Sequence, residues 1–113
     1  MNGDTNCRWV YMTAGSLESA RELGRLLVER RLAACVNLLP GMRSLYRWEG
    51  KVAEDEEVVM IAKTTAERLP DLKATVAEAH PYDCPCLLAL PVTDGLPEFL
   101  DWIRSETFPE REA

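Results

Sequence analysis

The stretch from Arg31 to Gly50 constrains this chain more than any other: Arg-Leu-Ala-Ala-Cys-Val-Asn-Leu-Leu-Pro-Gly-Met-Arg-Ser-Leu-Tyr-Arg-Trp-Glu-Gly. A helical stripe ends there and an apolar strand follows from Ala34 to Leu39. Pro40-Gly41 then interrupts it, because proline cannot donate a backbone hydrogen bond to a ladder. An aromatic-bearing strand resumes from Met42 to Trp48, and Glu49-Gly50-Lys51 turns the chain. The return segment, Val52 to Thr64, carries the apolar centre Val58-Val59-Met60-Ile61-Ala62, which favours extended backbone. Together these predict a hairpin from Ala34 to Thr64 that is too long for one small sheet, with aromatics at its far end.

The flanking segments place that hairpin. Cys7 to Thr13 is a first strand, rich in residues that suit a pleated surface. Ser16 is a good N-cap and Glu18 sits in the first turn, where a carboxylate suits the helix dipole. From Leu17 the apolar positions Ala20, Leu23, Gly24, Leu27, Val28 and Leu32 form one helical stripe, with Arg30 and Arg31 near its C-terminal end. A second helix starts between Thr65 and Pro70, where proline is tolerated only in the first turn, and Pro81 stops it at His80. Its stripe is Leu69, Leu72, Val76 and Ala79. Leu87 to Val92 is a fourth strand, and Leu96 to Ile103 a short closing helix that carries Trp102. Strand, helix, strand, strand, helix, strand is the double split unit of the ferredoxin-like architecture. The expected class is α+β, a ferredoxin-like split βαβ sandwich with an extra C-terminal helix. Two helices cover one face of a four-stranded antiparallel sheet. The other face, partly apolar through Tyr46, Trp48, Val59 and Ile61, needs a cover of its own. No linker or repeat divides residues 1–113, so one domain is expected, with a core from about 8 to 107 and a loose polar tail from Phe108.

Charge and composition exclude some functions. The net charge of −6 argues against a nucleic-acid partner, because phosphate contacts want a basic face. The longest apolar runs are strand-sized, so no membrane partner is expected. The polar start Met1-Asn2-Gly3-Asp4-Thr5-Asn6 shows no apolar signal region, which points to the cytoplasm. The four cysteines, at 7, 35, 84 and 86, form no dense disulfide framework and fit a reducing compartment.

The pieces Thr13-Ala14, Leu32-Ala33-Ala34-Cys35-Val36-Asn37, Ser44-Leu45-Tyr46 with Trp48-Glu49-Gly50-Lys51, Glu57 with Lys63-Thr64, His80-Pro81-Tyr82, Pro85, Leu90-Pro91-Val92 and Trp102-Ile103 occur in an order and spacing that resembles the CutA family, the divalent-cation tolerance proteins. The likeness runs from Val10 to about Thr107. It implies a ferredoxin-like subunit in a tight homotrimer, similar in plan to PII-type signal proteins. In such trimers the long second and third strands reach past the subunit and pair with a neighbour, which would protect exposed strand edges. The resemblance also implies a link to copper tolerance and divalent-metal binding, with no defining catalytic activity. The alternative is a trimeric scaffold or a PII-like small-ligand signalling protein with no metal role. This chain departs from the family pattern at Cys86, where a glutamate is usual. Some members also carry cysteine at the position of Met12 and a second histidine at that of Ala79.

Those departures shape the candidate metal site. Met12 ends the first strand, His80 ends the second helix, and Cys86 begins the fourth strand. Thioether, imidazole and thiolate make a soft set that suits Cu(I) better than hard ions such as calcium or magnesium, and copper or another divalent metal is the only cofactor expected. Cys84-Pro85-Cys86 adds a second sulfur on the same side of an extended chain. The competing reading is that methionine and cysteine pack and the histidine caps carbonyls. A second candidate gathers Tyr46, Trp48, Lys63 and Tyr82 into a cleft for a small anionic ligand. The preferred rival is that they pack a subunit interface, with Lys63 meeting a glutamate such as Glu57. Cys35 is expected to be a small buried hydrophobe, and Cys7 an accessible thiol near a frayed start. The run Glu54-Asp55-Glu56-Glu57 lacks the order of a calcium loop and is expected to be a solvated strand end. Thr13-Ala14-Gly15-Ser16 is expected to cap a helix rather than hold an anion. An acylphosphatase-like hydrolase would want a basic cradle at that turn, which is absent. An RNA-binding module would want exposed aromatics on the central strands and basic surroundings. The chain is therefore expected to be no enzyme.

Overall fold

A computed structural model describes residues 3–80 and 85–109 of the chain. Its elements follow the expected order: β1 (Cys7–Ala14), α1 (Leu17–Glu29), β2 (Cys35–Trp48), β3 (Lys51–Thr65), α2 (Leu69–Ala79), β4 (Leu87–Pro91) and α3 (Pro97–Thr107). The strands form one antiparallel sheet in the order β2-β3-β1-β4. This is the ferredoxin-like arrangement, in which each long helix returns the chain to the opposite side of a central strand.

Local chemistry sets the helix ends. The Ser16 hydroxyl accepts the Ser19 amide at 3.1 Å, satisfying one of the orphan donors at the start of α1. The helix ends at Glu29, short of the Leu32 at which its apolar stripe ends, because Arg31 takes a left-handed φ of 58°. The Leu32 amide then bonds back to the Leu27 carbonyl at 2.9 Å and buries Leu32 beside the helix, so Leu32 serves the core from the turn. Helix α2 carries Pro70 in its first turn and is closed by the His80 amide on the Val76 carbonyl at 2.8 Å. Helix α3 runs on to Thr107, about a turn beyond the expected Ile103, and the Thr107 hydroxyl donates to the Ile103 carbonyl.

Strand alternation builds two different faces. Val10, Met12 and Ala14 of β1 and Met60 and Ala62 of β3 meet Leu23, Leu27, Leu72 and Val76 of the helices in the main core. Among the described residues the opposite face is covered only at one end, where Leu100 and Ile103 of α3 pack on Cys7 and Ala34. Elsewhere it is open. Rows of neighbouring residues run across it, Leu90-Trp9-Lys63-Cys35 and Leu88-Tyr11-Ile61-Asn37, and Leu88 and Leu90 are 65% and 52% exposed.

The hairpin departs from this sheet. Ladder β1–β3 ends at Ala14 and Val58, so among the described residues the segments Met42–Trp48 and Lys51–Glu57 pair only with each other. Between Leu39 and Met42 strand β2 carries one residue more than β3. That bulge follows from Pro40 and from Gly41, whose φ of 85° suits glycine. Glu49 and Gly50 both have positive φ at the tip, as a tight two-residue hairpin turn requires. The result is a two-stranded ribbon projecting from the sheet, within a chain whose principal extents are 47 × 37 × 22 Å.

Candidate functional site

The bulge has a consequence for side chains. Before it, the odd residues Cys35, Asn37 and Leu39 of β2 share the open face; after it, the even residues Ser44, Tyr46 and Trp48 do, since one extra residue inverts the alternation. They share that face with the odd residues of β3, among them Asp55 and Glu57. Where the ribbon leaves the sheet these groups line an open groove of about 620 Å³, together with Tyr11, Thr13 and Cys86. The Ser44 hydroxyl donates to Glu57 Oε1 at 2.5 Å, and the Tyr46 hydroxyl donates to Asp55 Oδ2. The acidic run is therefore divided by the pleat. Glu54 and Glu56 sit on the reverse of the ribbon with Arg43, whose Nε lies 2.8 Å from Glu54. Asp55 and Glu57 belong to the groove.

A larger concavity of about 860 Å³ lies between α1 and β2, with Leu17, Val28, Val36 and Leu38 on its apolar floor. Its charged rim, Glu18, Arg21, Glu22, Arg25 and Glu29, alternates in sign and converges on no point, so the smaller groove is the better candidate for a ligand.

Tyr46 and Trp48 come together in the groove as the cleft reading requires, but Lys63 does not join them. It pairs with Trp9 and Cys35 at the far end of β3, about 26 Å from Asp55 along an extended strand. Its ammonium donates to Asn37 Oδ1 rather than to Glu57. Tyr82 and Cys84 lie outside the described residues. The cluster that sequence reasoning missed is Ser44, Asp55 and Glu57 with Tyr11. Its signal was the alternation of β3, but the matching register on β2 depends on the bulge.

The proposed metal donors are separated by the sheet. Met12 is fully buried on the helix side, paired with Leu87. Cys86 is half-buried on the opposite face, in the groove. His80 is buried beside the end of β1, with Nε2 2.8 Å from the Thr13 carbonyl oxygen. Among the described residues no three His, Cys, Asp or Glu side chains converge as metal ligands. Met12, His80 and Cys86 of one chain thus do not fit a shared copper ion. Two other cysteines also depart from expectation. Cys35 is half-buried on the open face, because its neighbours Val36 and Leu38 take the positions toward the helices. Cys7 is fully buried, because α3 folds over it and places the Leu100 carbonyl 3.9 Å from its sulfur.

The resolved charge effects lie at the opposite end of the chain. Asn6 donates to both oxygens of Glu67, at 2.6 and 2.7 Å, and holds that carboxyl below its ordinary value. The Arg8 guanidinium does the same for Asp4, helped by the Asn6 amide.

Comparison with known proteins gives a consistent result. A family model, CutA1 divalent ion tolerance protein, matches residues 8–106. A divalent-cation tolerance protein CutA of Thermus thermophilus is 49% identical over 98 residues, covering 87% of this chain and 95% of the relative. A protein CutA of Mus musculus is 43% identical over 86% of this chain, which spans 55% of that longer relative. Among solved structures, a divalent cation tolerance protein of Thermus thermophilus superposes with a TM-score of 0.88 at 47% identity, covering 90% of this chain and 99% of the other. A structure named the periplasmic divalent cation tolerance protein CutA of Archaeoglobus fulgidus gives 0.87 at 41% identity, covering 90% and 99%.

Proposed function

Because the chain belongs to the CutA1 divalent ion tolerance protein family, we propose that it works as a homotrimer that contributes to divalent-cation tolerance by binding and assembly, without catalysis. The observation that carries this reading is the uncovered sheet face with its projecting ribbon. A two-stranded ribbon is marginal by itself in water; this one exposes Leu45, Trp48 and Val52, and Leu88 and Leu90 on the edge strand β4 also face solvent. Apolar surface so arranged on a chain of 113 residues favours burial against copies of itself. A closed ring of three gives each ribbon a neighbour to lie on. Melting at a series of concentrations tests the assembly: coupled dissociation makes the midpoint rise with concentration, whereas a constant midpoint overturns it.

The metal part of the proposal rests on Cys86, whose thiolate suits Cu(I). A competition titration of reduced protein should show Cu(I) uptake that Cys86→Ser removes and Cys35→Ser leaves intact. Equal uptake by wild type and a His80→Ala/Cys86→Ser variant would eliminate it and leave the scaffold reading. The groove itself favours a second reading, a small-ligand binder of the PII-like kind, because aromatic and polar groups converge there. We place the protein in the cytoplasm, where its thiols stay reduced. Among the described residues no helix is long and apolar enough to cross a membrane. Relatives include proteins named periplasmic and chloroplastic, so localisation of a tagged full chain is the test.

A further inference from the structure

We propose that the groove at the root of the ribbon binds a small organic cation, an alkylammonium or alkylguanidinium compound. Its charge would lie at Asp55 and Glu57 and its apolar stem over Tyr11 and Tyr46. The proposal rests on the small-ligand reading and names the chemistry of that ligand.

The lining decides the sign of the ligand. Among its described lining residues two are carboxylates and none is lysine or arginine. The one lysine that pointed to an anion, Lys63, is bonded to Asn37 at the other end of the strand. An anion in the groove would meet Asp55 and Glu57 with no cation among the described lining residues. A cation meets both. The two residues stand two apart on one face of β3, about 7 Å along the strand. Each carboxylate takes a hydroxyl donor, from Tyr46 or from Ser44. A carboxylate has about four lone-pair sites, so both keep capacity for N–H donors.

The same lining decides between a metal and an organic ion. A hard dication wants several oxygens around one point, and among the described residues no three such donors converge. An organic cation needs less: one or two charge-assisted hydrogen bonds and apolar or aromatic contact for the rest. Tyr11 and Tyr46 supply ring faces, Thr13 and Ser44 supply hydroxyls, and a volume of about 620 Å³ lies in the range of small-molecule sites.

Calorimetric titration of the full-length protein with agmatine, a guanidinium and an ammonium on a four-carbon stem, tests this. We expect saturable binding that weakens about tenfold or more in Asp55→Asn/Glu57→Gln, whose amides still accept the Tyr46 and Ser44 hydroxyls. In wild type the affinity should fall as sodium chloride is raised, and n-butanol and glutarate should bind far more weakly. Amide shifts on titration should concentrate at Ser44, Tyr46, Asp55 and Glu57. If the double variant does not fold, the wild-type salt series and shift map decide the matter. Undiminished binding in the folded double variant, glutarate binding as tight as agmatine, shifts elsewhere, or no saturation by about 10 mM would each overturn the proposal. Sedimentation of the same samples separates the two readings: intact trimer without agmatine binding rejects the ligand and leaves assembly standing.

Discussion

Replacing Trp48 by alanine separates the assembled protein from a lone chain. The ring sits at the end of β2 and is 61% exposed in one chain, so a monomer has little packing there to lose. A tryptophan buries up to about 250 Å², so a neighbour covering the exposed share would remove about 150 Å² from water. At roughly 25 cal/mol per Å² that is about 4 kcal/mol per chain, and about 11 kcal/mol over three equivalent sites, an upper bound. Half of that bound already corresponds to a dissociation constant raised by roughly ten-thousand-fold. The assay is sedimentation velocity over a dilution series, wild type beside Trp48→Ala, with far-UV melting of the same samples. We expect the variant to dissociate at concentrations where wild type stays whole, and to melt lower. Trp48→Phe should restore most of the loss. A lone chain would respond by no more than about 0.5 kcal/mol, as surface substitutions do. Identical dissociation and melting of wild type and Trp48→Ala would refute the reasoning.

Other substitutions test individual parts. Leu72→Ala, at a fully buried site between α2 and the sheet, should cost about 2–5 kcal/mol in denaturant unfolding. Ser16→Ala removes the cap of α1 and should cost about 1 kcal/mol in the same measurement. The carboxyl of Glu67 should titrate below 4.5 by NMR, and Asn6→Gly, which keeps the positive φ of 70°, should return it toward that value. Since its pKa is lowered on folding, this contribution is present above pH 4.5 and is lost as pH falls through the folded value. Cys7 should resist thiol reagents in the native protein, because it is fully covered within a single chain.

Local signals carried most of the fold. The stripe from Leu17, the Ser16 cap, Pro70 in a first turn and the Glu49-Gly50 turn each follow from a few neighbouring residues, and each lies where those residues put it. What depended on distant pairing was harder to read. Cys7 looked accessible beside a polar start, but α3, ninety residues on, covers it. Cys35 lies in an apolar strand, yet the alternation against Val36 and Leu38 turns it to the open face. Asn37, two positions along, was the clue to that parity. Met12, His80 and Cys86 come near in topology, but adjacent strand ends share a face only if the register agrees, and Met12 pairs with Leu87 rather than Cys86. The groove is the clearest instance. Its acidic wall follows from the pleat of β3, whereas its aromatic wall follows from a single extra residue at Pro40-Gly41.

Assembly is the claim on which the rest depends, and sedimentation equilibrium of the wild-type full chain, reduced and at low micromolar concentration, tests it most directly. We expect a single species of about 38 kDa, three times the 12.7 kDa chain. A folded species at one chain mass would contradict it, because the open face of the sheet and the ribbon beyond it would then be stable in water uncovered.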